Sequence, residues 1–99
     1  MTPHLIRYRT KPELAEENAR LIEGTFKALS ETPLPGVRYL ALDLGDGQFV
    51  HIVHTEPGAD GLPTLKAFQT FVGGIDARCV EKPARAEARI IGDYRMLGA

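Results

Sequence analysis

The chain has 99 residues, 43% hydrophobic and 25% charged, with twelve basic and thirteen acidic side chains and a net charge of −1. That length is expected to hold one core, so residues 1–99 are read as a single domain that buries about two-thirds of its unfolded surface. The near-neutral balance excludes the basic footprint of a nucleic-acid binder or an anionic-membrane binder.

"HLIRYRT" (4–10) is short, rich in bulky residues and ends in a break, which predicts a first strand. "TKPELAEENARLIEGTFKALSET" follows. Thr10 and Glu13 have capping-box spacing, with Pro12 in the first turn. Ala15, Ala19, Ile22, Phe26 and Leu29 then recur on one face of a helix, which "TPLPG" (32–36) stops. "VRYLALDL" (37–44) and "QFVHIVHT" (48–55) predict a hairpin around Asp46-Gly47, a pair that tolerates the positive φ of tight turns. After the loop 56–63, Thr64 is placed to cap a second helix, with Leu65, Phe68, Val72, Ile75 and Cys79 as its stripe and a break at Gly73-Gly74. Beyond Pro83, "ARAEARIIGDYRML" has strand alternation, with a bulge expected at Gly92.

The order βαββαβ is that of a ferredoxin-like α+β domain with an antiparallel sheet. Helices in this topology cover one sheet face. On the third strand Phe49, His51, Val53 and Thr55 share a face opposite Val50, Ile52 and His54, and the second strand sets Val37, Tyr39 and Ala41 against Leu40, Leu42 and Leu44. Both faces are therefore largely apolar, and a second copy is the expected cover: a homodimer. RNA recognition on this topology needs a basic residue and exposed aromatics on the third strand, whereas "GDGQFVHI" is acidic at its turn with Phe49 its one aromatic. The lone cysteine, Cys79, permits no intrachain disulfide, and "MTPHLIRYRT" lacks the apolar core of a signal peptide; a cytoplasmic protein without a membrane anchor is expected.

His51 and His54 stand three apart on a strand, on opposite faces, so they cannot share a metal ion within one subunit and no metal site is expected. Taken singly, His51 suits a general base or a pocket hydrogen-bond donor, against the plainer reading of a buried histidine tied to the backbone. Asn18 falls within the first helix's apolar stripe and needs either a structural partner or a polar cavity. Arg7 and Arg9 share one face of the first strand, with Tyr8 on the other; arginines there suit an ion pair or an anionic ligand. Tyr39 is placed either to donate a hydrogen bond or simply to pack. Cys79 beside Arg78 carries no nucleophile signature.

In "RYRTKPE", "PGVRYLALDLGDGQFVHIV" and "LKAFQTFVGGIDARC" the chain resembles the dimeric α/β-barrel superfamily, in its antibiotic biosynthesis monooxygenase-like branch. The resemblance implies homodimers whose sheets pack face to face into a barrel, each subunit holding a small pocket. It further implies a monooxygenase needing no metal or flavin cofactor, or a related enzyme, acting on a small hydrophobic, phenolic substrate. His51 and Arg7 are then the catalytic candidates, and Asn18, Tyr39 and Arg78 the substrate-binding ones, Arg78 because it falls near the helix histidine of the heme-degrading branch. That branch itself also uses a tryptophan and a first-strand asparagine, and this chain has neither. The alternative is a non-catalytic small-molecule-binding or assembly module of the same fold.

Overall fold

The computed structural model describes residues 2–98. Four strands form one antiparallel sheet: β1 (His4–Thr10), β2 (Val37–Gly45), β3 (Gln48–Thr55) and β4 (Cys79–Glu87), in the order β2-β3-β1-β4. Helix α1 (Ala15–Glu31) crosses from β1 to β2, while α2 (Lys66–Gly73) and the single turn α3 (Ile75–Arg78) connect β3 to β4. This is the ferredoxin-like βαββαβ fold expected from the sequence. Among the described residues no helix is long and apolar enough to cross a membrane.

Strand alternation decides what the sheet shows each side. Tyr8, Phe49 and His51 are buried beneath the helices. Phe49, 2% exposed, joins Tyr8, Ile22 and Phe71 in the core cluster. Burying a phenylalanine this fully contributes about 1.5–3 kcal/mol. Most of a helix's stability in a protein comes from packing its apolar face, and α1 docks Ile22 on this cluster. On the opposite face Leu40, Leu42 and Leu44 are 45%, 41% and 60% exposed.

Several local expectations give way to strand pairing. Thr10 does not cap a helix: it is still in β1, paired with Cys79, and its N–H bonds the Gly47 carbonyl at 2.8 Å. A 3-10 turn (Pro12–Leu14) therefore intervenes before α1 begins. Thr64 likewise ends a 3-10 turn and donates its hydroxyl to the Gly61 carbonyl. The hairpin forms as expected, with positive φ at Asp46 and Gly47; a Cβ on Gly47 would lie 2.7 Å from the Thr10 carbonyl oxygen. Cys79 belongs to β4 and not to a helix, because α3 lasts one turn after Gly74 and the chain then pairs with Thr10.

Strand β4 also ends early, at Glu87, where a strand running on through 84–97 was expected. It tolerates Pro83 because it is an edge strand with register shifts against β1. Residues 88–98 leave the sheet, tied by the Ala88 N–H to the Pro3 carbonyl and by Arg38 to the Leu97 carbonyl. Among the described residues no strand lies beside them, so the alternation that runs from Ala84 to Ile91 forms a ladder only as far as Glu87.

Candidate functional site

Register builds the site around the central strand. On β3, His51 lies opposite Ile6 of β1 and Ala41 of β2. Tyr8 lies opposite Phe49, two residues one way, and Tyr39 opposite Val53, two residues the other way. Same-face diagonal neighbours in a sheet are within reach of aromatic side chains. Both tyrosines use that reach: the Tyr8 hydroxyl is 2.8 Å from His51 Nε2, and the Tyr39 hydroxyl 2.6 Å from His51 Nδ1. The rings of Tyr8, Tyr39 and Phe71 stand 5.4, 5.7 and 5.5 Å from the imidazole.

The helices extend this line of hydrogen bonds. Asn18, fully buried on α1, donates Nδ2 to the Tyr8 hydroxyl at 2.8 Å. Arg78, buried at the end of α3, donates Nε to Asn18 Oδ1 at 3.1 Å and Nη2 to the Phe71 carbonyl at 2.6 Å. Its guanidinium also lies 5.3 Å over the Phe71 ring. Gly74 makes room for it, since a Cβ there would come within 2.8 Å of Arg78 Nη1. Among the described residues the one ion pair is Arg9–Glu81 at 3.7 Å, and Arg78 is held by its hydrogen bonds and the Phe71 ring.

This line borders a cavity of about 840 Å³, lined in part by Ile6, Val53, Leu62, Phe68, Phe71 and Ile75. A drug-sized molecule fits such a volume, and the few polar groups in an apolar wall would orient it. Tyr8, Tyr39 and His51 stand on its sheet wall, His4, His54 and Arg85 add further polar groups, and the 56–63 loop closes on the same wall. Among the described residues no three His, Cys, Asp or Glu side chains gather as a metal site.

Burial sets the protonation states. It holds the His51 pKa down at about 4 and pushes Tyr8 up to about 12, against partial relief from the Asn18 bond. It raises Tyr39 as well, with help from neighbouring Tyr8, and raises the Cys79 thiol. At neutral pH the imidazole and both phenols are thus uncharged. The unfolded chain protonates His51 near its ordinary 6.5, whereas the folded chain refuses that proton until about 4. The contribution to stability is complete above pH 6.5 and is lost as pH falls toward 4. Urea midpoints should therefore show a loss of about 2 kcal/mol between pH 7 and pH 5. His51→Asn should flatten most of that slope.

Of the residues singled out in the sequence, His51, Asn18, Tyr39 and Arg78 come together in this one line. Arg7 does not: it is exposed on the helix-free face, opposite Val50 and Ala84, because strand parity sends it away from Tyr8. The same parity is the signal that would have found Tyr8, which sequence reasoning left out of the site. Phe71 was missed because the stripe was drawn through Val72, which is 44% exposed.

No protein-family model and no curated protein matches the chain. Solved structures do match it. An antibiotic biosynthesis monooxygenase superposes with a TM-score of 0.65 at 17% identity, covering 93% of this chain and 100% of that one. A protein from Mycobacterium tuberculosis gives a TM-score of 0.69 at 10% identity, over 93% and 96% of the two chains. A variant of SnoaB, a cofactor-independent oxygenase from Streptomyces nogalater, gives 0.55 at 14% identity, over 93% and 94%. The chain has the fold of these proteins.

Proposed function

We propose that the chain is a cofactor-independent monooxygenase, or a related enzyme, acting on a small hydrophobic phenolic substrate. The observation that carries this reading is the Tyr8–His51–Tyr39 line, buried at Tyr8 and His51 and half-buried at Tyr39, ending at the wall of a largely apolar cavity. The substrate binds as a phenolate or enolate, its proton lost to solvent, and dioxygen accepts its electrons, so the protein's main task is to hold the anion. A donor fixed where negative charge develops does this in a water-poor site. Tyr39 is that donor in this reading. His51, with both ring nitrogens taken by tyrosine hydroxyls, acts through Tyr39 instead of touching substrate. Asn18 and Arg78 support the line from behind, and Arg7 has no part in it. The likeness to a cofactor-independent oxygenase supports the reaction class.

Oxygen uptake across a panel of hydroquinones and anthrones tests the proposal. Consumption of dioxygen that needs no added metal or flavin is the expected result. Tight binding of these compounds with no uptake would favour the non-catalytic module, a reading that the fully hydrogen-bonded His51 also suits.

The reading includes a homodimer. Leu40, Leu42 and Leu44 lie in a row on a face no helix covers, and Ile52 and Leu5 continue it inward. Apolar surface of this kind marks an interaction site. Residues 88–97 border part of this face, a second copy's sheet is the cover this reading assigns to the rest, and light scattering at micromolar concentration should return twice the chain mass.

A further inference from the structure

The hydrogen bonds of the site form a chain whose direction follows from its first member. A guanidinium has donors and no acceptor. Arg78 therefore faces the amide oxygen of Asn18, which turns the amide nitrogen toward Tyr8. The Tyr8 oxygen accepts that bond, and its own proton has His51 Nε2 as its partner at 2.8 Å in a buried setting. A neutral imidazole carries one N–H. With Nε2 accepting, the proton sits on Nδ1 and donates to the Tyr39 oxygen at 2.6 Å. The Tyr39 proton is left over, and Tyr39 lines the cavity.

We propose that Arg78 is a positioning residue that sets the polarity of this chain, holding His51 as its Nδ1–H tautomer and making Tyr39 a donor to the pocket. The inference takes from the proposed function only that a ligand oxygen meets Tyr39. Burial keeps His51 neutral at pH 7, as the tautomer argument requires. Each link polarises the next, so the cation at one end strengthens the donor at the other. Tyr39 consequently favours an ionised phenol oxygen over a neutral one, since its proton is offered to that oxygen and its own lone pair is engaged by His51.

One substitution reverses every link. In Asn18→Asp the carboxylate accepts only, and Arg78 keeps its partner. Tyr8 must then donate to position 18, His51 must carry its proton on Nε2, and Tyr39 must donate to Nδ1 and turn its oxygen to the pocket. The nitrogen-15 shifts of His51 read this directly at pH 7. Wild type should show Nδ1–H, Asn18→Asp should show Nε2–H, and Tyr39→Phe should keep the wild-type tautomer. With p-nitrophenol as probe, whose ionised and neutral forms absorb differently, wild type should raise the bound phenolate-to-phenol ratio about tenfold or more, the worth of one charge-assisted hydrogen bond. Asn18→Asp should lose that shift. Nε2–H in wild type overturns the proposal whether or not the variant folds, and so does an unchanged tautomer in Asn18→Asp. A switched tautomer without any oxygen uptake upholds the polarity and removes the oxygenase reading. Oxygen uptake with an unswitched tautomer removes the polarity alone.

Discussion

Tyr39→Phe is expected to lower kcat on a phenolic substrate by about 100- to 1,000-fold, the usual cost of losing one fixed oxyanion donor. The substitution removes a single oxygen. The ring remains stacked on Phe26 at 4.8 Å and beside His51, so the wall of the cavity keeps its shape. His51 Nδ1 loses its partner, but Nε2 still meets the Tyr8 hydroxyl. KM should therefore change far less than kcat, because the apolar wall supplies most of the ground-state contact. Oxygen-electrode kinetics on the best hydroquinone of the panel separate the two constants. A variant with wild-type kcat would remove Tyr39 from the reaction and leave the line of hydrogen bonds as a structural element.

Phe49→Ala should have the largest effect on stability, about 3–5 kcal/mol. Phe49 is almost wholly buried, stacks on Tyr8 at 5.5 Å with the rings 15° from parallel, and belongs to the core cluster that α1 docks against. The surrounding sheet cannot collapse into the vacated space, since Phe49 sits on a central strand paired on both sides. For a domain of this size the loss corresponds to a fall in Tm of at least about 12 °C, readable by circular dichroism. Leu44→Ala offers the contrast. At 60% exposure in the single chain its substitution should be nearly silent in a monomer, within about 0.5 kcal/mol. A larger cost for Leu44→Ala would locate a second copy on that face.

The element order was legible because each element carries its own pattern. The bulky, β-branched-rich runs 37–44 and 48–55, the four-and-three spacing from Ala15 to Leu29 and the Asp46-Gly47 turn are local signals, and the structure follows them. Two of the misreadings turn on pairing with residues distant in sequence. Thr10 had a capping partner at the right spacing, yet its strand continued against Cys79. The alternation that begins at Ala84 runs on to Ile91, yet the ladder against β1 ends at Glu87 and, among the described residues, no strand lies beside the rest.

The site divides along the same line. The amino-acid sequence by itself determined that His51 and His54 part company across a sheet, that Asn18 sits in an apolar stripe, and that Tyr8 faces away from Arg7, since each follows from a period of two or of 3.6. It could not join them. Tyr8 and His51 are 43 residues apart, and Arg78 and Asn18 are 60. Their contact depends on strand register and on where α3 ends, quantities set by packing across the whole domain. Only the tertiary structure decided that His51 stands between two tyrosine hydroxyls, that a buried arginine heads the line, and that Arg7 lies on the far side of the sheet.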